Sequence, residues 1–470
     1  MAITVIANPY NFFPAYNQMR FIVDSNNKNQ PAFEYIVQVF PKGLTTPIAT
    51  YAIKPRFGDG YGNIDLSKLL SSKVSSEIEN AGSTAYFNAI NSYYEYDVKF
   101  GERYIQSVSY ISNLTDSSGK VRINATNSFT AGSQVFIQQS DGGVANPQLE
   151  GYQTVVSVGV GYFVVNVAFS TITNVGIDGS VRYADNRRVT NLNLASKLNN
   201  IVFNGVFNEV GINSYNPATY DLNGVNDLPL TVLPETGFVI SKSAPLLVNF
   251  RTRGSSSGSF RFENSDGDLF EYALFGTQEI TTVNLGTFNL PTLTAITGTL
   301  PLVKPTTKWY DFYYYESGQK SRKTRVELLQ SCEIEPYSIL FVDKLGSIIP
   351  LPFTLKSKES MEVRKETYNR EQQGTVSGSM WRNKVIEGGI TAVNMSQSKK
   401  LILEAPYVND EMSELYYQMH ASPRLLLFDG TYFHPVTLDT ANVTKQRLLV
   451  DRKNRYTITV SFSNNELVNG

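Results

Sequence analysis

MRFIVDSNNKNQPAFEYIVQV, running from Met19 to Val39, decides the fold class. Met19, Phe21 and Val23 alternate with intervening residues, a polar loop follows from Asp24 to Asn29, and the alternation returns as Phe33, Tyr35, Val37 and Val39. A period of two is what a strand with one buried face requires, and two such runs joined by turn-forming residues predict a β pair at a sandwich edge. Asn8-Pro9 and Phe13-Pro14, just upstream, are turn signals.

The same pattern recurs outward from this segment. Tyr94, Tyr96, Val98 and Phe100 alternate, and the apolar stretch Ile201 to Phe203, with Val206 and Phe207 close behind, resumes a strand after an interruption. Between them, Val121 to Ile123, Gln134 to Ile137, Tyr152 to Val158 and Tyr162 to Val167 are strand-length runs with glycine in most of the gaps, the spacing of a small barrel or sandwich. Farther on, Phe260, Phe262, Leu269 and Phe270 flank Asp266-Gly267 as a hairpin, and Leu425 to Phe428, Asp429-Gly430 and Tyr432-Phe433 repeat that arrangement. Two helices interrupt the strands. Asp65 caps a short one carrying Leu66, Leu69, Leu70 and Val74, and Asn409 and Asp410 open a longer one that places Met412, Leu415, Tyr416 and Met419 on one face.

The predicted fold class is therefore mainly β, with several antiparallel sandwich or barrel domains in tandem and one or two short helices. The expected boundaries are an N-terminal sandwich over 1–92, a second sandwich over 93–250 interrupted by a small β-module at about 107–183, a β-rich middle domain over 251–330, and a C-terminal domain over 331–470 with its helix near 409–420. A chain of 470 residues needs several cores of this kind.

Composition narrows the function. The 41 Lys and Arg residues balance 42 Asp and Glu, so no field gathers nucleic acid or an anionic membrane surface, and neither is an expected partner. No run of about 18 apolar residues spans a membrane, and the N-terminal segment lacks the pattern of a signal peptide, which predicts a soluble protein not exported by that route. The one cysteine, Cys332, excludes an internal disulfide framework and any multi-cysteine metal site, and its expected state is a buried, inert thiol.

Chemistry-bearing patterns are scarce. His420 and His434 are the only histidines; the first falls at the C-terminal end of the predicted helix and the second before a proline, so structural roles are expected for both. The segment Asn264 to Asp268 imitates the start of a calcium loop, but the distant bidentate glutamate is missing and a hairpin turn accounts for the same residues. Trp309 to Tyr315 offers either a sugar-stacking surface or core packing, with core packing expected. No Walker loop, His-Glu-x-x-His or Gly-x-Ser-x-Gly motif occurs. The expectation is no catalytic, cofactor-binding or metal site residue, no cofactor, and no enzyme activity.

Several segments resemble structural proteins from the particles of tailed bacteriophages, especially the crAss-like phages of Bacteroidetes hosts. Asn8-Pro9 to Val39, with Pro14 to Asn17, resembles their opening sandwich. The ordered series Val121 to Asn124, Ala131 to Ile137, Ala145 to Pro147, Gly151 to Val156 and Tyr162 to Val165 is similar to a β-module of phage tail and fibre proteins, although Ser133 stands where many copies carry an acidic residue. Ile339 to Gly346, Lys365 to Tyr368, Leu401 to Tyr407 and Ser422 to Phe428 resemble the end domain of the same proteins, with Ser347 replacing a usual second glycine. The resemblance implies a tail or neck component of the virion, assembled in the host cytoplasm as a homo-oligomer with ring symmetry alongside other tail and neck proteins. The alternatives are a head fibre, or a receptor-binding or carbohydrate-degrading fibre that meets a host-surface glycan. A bacterial adhesin is a more distant rival.

Overall fold

The computed structural model describes residues 3–82, 86–105, 109–127, 129–139, 144, 146–176, 179–184, 188–222, 227–252, 258–273, 278–288, 290, 292–329, 337–355, 357–371, 373–384, 389–439, 454–463 and 466–467. The chain is mainly β, with antiparallel sheets in tandem, and it divides into two compact units. The first comprises Met1–Asn11, Gln18–Ser67 and Glu95–Ile201; the second comprises Phe12–Asn17, Lys68–Tyr94 and Val202–Gly470.

In the first unit, Arg20–Ser25 is the middle strand of a three-stranded sheet, between Ile3–Ala7 and Gly62–Asp65. Glu34–Pro41 lies between Ala49–Ile53 and Tyr93–Ile105, and Arg188–Phe203 extends that sheet. The two runs of the Met19 to Val39 segment thus enter different sheets, while Phe21, Val23, Tyr35, Val37 and Val39 are all buried as their alternation requires. The polar loop between them is anchored. Glu102 is fully buried and accepts hydrogen bonds from Ser25 Oγ at 2.7 Å, Asn27 Nδ2 at 2.8 Å and Asn191 Nδ2 at 3.2 Å, so its carboxylate is solvated by side chains in place of water.

Residues 109–183 form a seven-stranded antiparallel sheet that begins at Asn113–Ser117 and ends at Ser109–Ile111, around a core of Val121, Ile123, Phe129, Val135, Ile137, Val155, Phe163 and Val181. These strands lie within the span read from sequence as a small β-module at about 107–183, inside the first unit. Its glycines act where the turns demand them: Gly119 and Gly161 both lie in the left-handed region, at φ of +80° and +75°.

In the second unit one large core cluster, from Leu233 to Val460, draws strands from both sides of the boundary expected at 330/331, and a smaller cluster around Ile78, Leu247, Leu340 and Phe428 is separate from it. Trp309–Glu316 sits in the middle of one sheet, beside Ser259–Asn264 and Thr324–Leu328. The larger sheet runs from Ser357–Arg370 through Gly389–Glu404, Thr457–Phe462, Phe433–Leu438, Leu425–Phe428, Tyr337–Val342, Ile348–Phe353, Leu247–Arg251 and Ile280–Asn284 to Tyr86–Asn88. Strands assigned by sequence to 1–92, 93–250, 251–330 and 331–470 therefore share this sheet. The physical reason is that alternation announces a buried face without naming the partner strand, and here distant strands supply it. Ile348–Phe353 is buried on both faces, and its Pro350 and Pro352 are tolerated because the other neighbour, Leu247–Arg251, pairs only at Ile348.

The helix Asp410–Ala421 begins where expected. Asn409 Oδ1 accepts the Met412 N–H at 2.9 Å, and Met412, Leu415, Tyr416 and Met419 are buried against the large core. The short helix Ser67–Ser71 follows Asp65, whose Oδ1 accepts the Ser67 N–H at 2.9 Å.

Candidate functional site

The most unusual element of the second unit is a β-arm. Ser357–Arg370 pairs antiparallel with Gly389–Glu404 from Ser357 opposite Leu403 to Arg370 opposite Gly389, a run of about 45 Å at the usual rise. Every residue of Ser357–Arg370 is exposed. Leu401 and Leu403 at the root of the return strand are buried in the core, and Lys400 to Glu404 pair with Thr457–Phe462. Beyond Ser396 the ribbon is two-stranded among the described residues. A second hairpin, Gly374–Ser377 with Met380–Asn383, lies between the two long strands in sequence and turns at Gly378, whose φ of +68° suits glycine.

A two-stranded ribbon is at best marginal alone in water, because neither face is covered. This arm also carries large apolar side chains in the open: Met380 is 72% exposed and Trp381 59%, with Val376, Ile390 and Val393 similarly free of cover. Trp381 Nε1 donates to Asn383 Oδ1 at 2.6 Å, which fixes the indole at the surface. Tryptophan and methionine are enriched at protein interfaces, and exposed apolar groups of this kind are a common feature of contact surfaces in general.

Ion pairs hold the arm's base. Lys399 Nζ lies 2.8 Å from Glu359, and Lys400 Nζ lies 3.1 Å from Asp439 and 3.4 Å from Glu362. Arg364 and Lys400 hold the Glu362 carboxyl below its ordinary range, and Asp439 and Glu362 raise the Lys400 ammonium. A groove of about 500 Å³ opens there, lined by Glu359, Met361, Lys399, His434 and Phe462 among others. His434 Nε2 lies 3.0 Å from Asp429 Oδ2; burial pushes the Asp429 carboxyl up, but the Tyr432 N–H, His434 and the Thr431 N–H leave it below the usual range.

The residues singled out from sequence fall elsewhere. His420 Nδ1 is 2.9 Å from the Tyr416 carbonyl one turn back in its own helix. Asn264 to Asp268 is a hairpin turn: Asn264 Oδ1 accepts the Asp266 and Asp268 N–H groups, Lys304 pairs with Asp268, and the Thr307 hydroxyl donates to Asp266. Lys304 and Asn264 together hold Asp268 low, so an ammonium already supplies the charge a cation would bring. No group of three metal-ligating side chains occurs among the described residues. Cys332 lies outside the described residues.

Tyr310 to Tyr314 is buried on both faces, with Trp309 and Tyr315 half-buried at its ends. Tyr310, Phe312 and Tyr314 enter the core, while on the other face Arg325 stacks 3.8 Å from the Trp309 ring centre, Arg261 3.4 Å from Tyr315, and Lys320 and Lys323 near Tyr313. Arg325 also makes two hydrogen bonds to Asp311, at 2.8 and 3.1 Å. The rings that looked available for sugar stacking are thus occupied by cationic side chains.

The turn at Asp343 explains one departure noted in the sequence. Asp343 is buried and accepts from Thr231 Oγ1 at 2.7 Å and from the N–H groups of Val232, Leu345 and Ser347, each at 2.9 Å. Ser347 Oγ donates to the Leu230 carbonyl at 2.7 Å and accepts the Asn249 N–H at 2.8 Å, two bonds that a glycine could not make. Burial pushes the Asp343 carboxyl up to about 6 against these four hydrogen bonds.

The arm was missed in the sequence, where only Lys365 to Tyr368 and the start of Leu401 to Tyr407 drew notice. The signal available was an unbroken run from Ser357 to Arg370 without glycine or proline and with charges on both faces, which suits a strand wet on both sides.

No protein-family model matches this chain, and no curated protein matches it. Among solved structures, the chain aligns with the crystal structure of Salmonella alpha-2-macroglobulin reacted with methylamine, at 8% identity and a TM-score of 0.15. The alignment covers 97% of this chain and 39% of that one.

Proposed function

We propose that this chain is a structural protein of a tailed-phage particle, placed in the tail or neck, which acts by assembling with copies of itself and with other tail proteins. The observation that carries the reading is the arm. Its outer ribbon, with Ile390 and Val393 in the open, and the hairpin that carries Met380 and Trp381 are elements whose stability and apolar surface both call for a neighbour. Assembly supplies that neighbour, and it is the mechanism, rather than catalysis. The sequence resemblance of the opening segment, the 107–183 module and the C-terminal segments gives the particle its identity within this proposal. The fibre alternative draws less support, because the aromatic strand it would use is capped by Arg261, Arg325, Lys320 and Lys323.

The test is immunogold imaging of particles from a phage carrying this chain, with an antibody against residues 109–183. Label at the tail or neck is the expected result. Label scattered over the capsid would make the chain a head fibre, and particles without label would overturn the virion assignment altogether.

A further inference from the structure

The outer edge of Ser357–Arg370 pairs with no other strand among the described residues, and it contains neither proline nor glycine. Natural sheets protect such an edge by shortening it, covering it or charging it against itself. This edge is long and uncovered. Its charges are balanced between Ser357 and Thr367, with three cations, Lys358, Arg364 and Lys365, and three anions, Glu359, Glu362 and Glu366.

We infer that this edge is an interface with a second copy of the same chain, in which the two Ser357–Arg370 strands pair antiparallel about a two-fold axis at Glu362. The register follows from symmetry and charge. An axis perpendicular to the sheet keeps each side chain on its own face, so facing residues must have numbers of equal parity, and the axis must pass through a residue. With the axis at Glu362, Lys358 faces Glu366 of the second copy, Glu359 faces Lys365, Met361 faces Val363 and Ser357 faces Thr367. Each of these pairs occurs twice, which gives four opposite-charge pairs and a cluster of four apolar side chains on one face. The only like pair is Glu362 with itself, and each Glu362 already has Arg364 and Lys400 of its own chain beside it.

Neighbouring registers do worse. An axis at Val363 keeps one kind of opposite pair, Glu362 with Arg364, and sets Met361 against Lys365. An axis at Arg364 sets Glu362 against Glu366 and Lys358 against Arg370, and one at Met361 sets Lys358 against Arg364. The favoured block also ends at Thr367, where the arm's own ladder changes register between Glu366 and Thr367. Over Ser357 to Thr367 the strand is the edge of the larger sheet, so pairing would join the two copies' sheets edge to edge and cover the row of backbone groups each leaves open alone.

This inference rests on the assembly reading above and deepens it, yet the two fail separately: particle labelling reads location, and the following experiment reads self-association. The full chain is examined by sedimentation velocity up to about 100 μM, enough to register a Kd of that order. A dimer is expected. Lys358→Glu and Glu366→Lys, each at an exposed position, are each expected to weaken it about tenfold by placing like charges opposite one another twice. The double variant Lys358→Glu/Glu366→Lys restores opposite charges and is expected to return the Kd to within about threefold of the parent. A monomer throughout the range would overturn the interface, and a dimer indifferent to the single changes, or not rescued by the double one, would overturn the register.

Discussion

Replacing Asp343 by asparagine should change not only the stability of the second unit but also how that stability varies with pH. The carboxyl, only 5% exposed, is pushed up to about 6 from an ordinary 3.8. An acid whose folded value is raised binds its proton more tightly when folded, so its contribution is fully present below pH 3.8 and is lost as pH rises through 6. The difference of about 2 units corresponds to about 3 kcal/mol at 1.36 kcal/mol per unit. Asparagine cannot titrate, so subtracting the variant's unfolding free energy from the parent's at each pH cancels the other carboxylates. The variant keeps one oxygen as acceptor and sets its N–H₂ against the two donors of the other, either Thr231 and Val232 or Leu345 and Ser347, a pH-independent loss of about 3 kcal/mol. Urea titration followed by tryptophan fluorescence is the assay, since Trp309 and Trp381 both belong to the second unit. The expected result is a parent-minus-variant difference that falls by about 3 kcal/mol between pH 3 and pH 7. A difference that stays flat, or that rises with pH, would refute burial as the dominant influence on this carboxyl.

Three other substitutions separate core from surface. Tyr416→Phe removes the hydroxyl that donates to the Pro352 carbonyl at 2.6 Å and should lower stability by about 1 kcal/mol, whereas Met419→Ala, in the same helix, should cost about 2–5 kcal/mol through the cavity it leaves; both are read from urea midpoints. Trp381→Ala on the arm should shift that midpoint by less than about 0.5 kcal/mol, so a large loss would mean the indole is not the free contact surface described. Glu102→Ala should leave the Ser25 and Asn27 side chains without their buried acceptor and speed amide hydrogen exchange across Asp24 to Asn29, while exchange in the 109–183 core strands stays as in the parent.

Caps, helix faces, tight hairpins and strand periods were legible from neighbours in sequence, whereas strand partners were not, even for Met19 to Val39, whose two adjacent runs enter different sheets. The Asn409 cap, the Met412 to Met419 face, the Asp266-Gly267 hairpin and the strands of the 107–183 module are each specified within a dozen or so residues, by a turn, a cap or a period. The four-domain partition needed more. Tyr86–Asn88 adds to Ile280–Asn284, which adds to Leu247–Arg251, and nothing in those segments' own alternation names the others. Glu102 shows the same limit in a single residue: its charge reads as surface, and only the arrival of Ser25 and Asn27 from one distant loop and Asn191 from another strand makes its burial tolerable.

The arm inverts this logic. A core strand is legible because its apolar period reflects a face already covered within the chain. Ser357–Arg370 has no such face, so its residue choice records something other than internal packing. Lys358 and Glu366, eight residues apart, face Ile402 and Asn394 across their own hairpin and gain no ion pair there. Their opposite signs acquire a structural meaning only when a second edge lies beside the first. On the pairing inferred above, what the sequence encodes at this strand is a relation between chains, and the charge-swap experiment tests that relation directly.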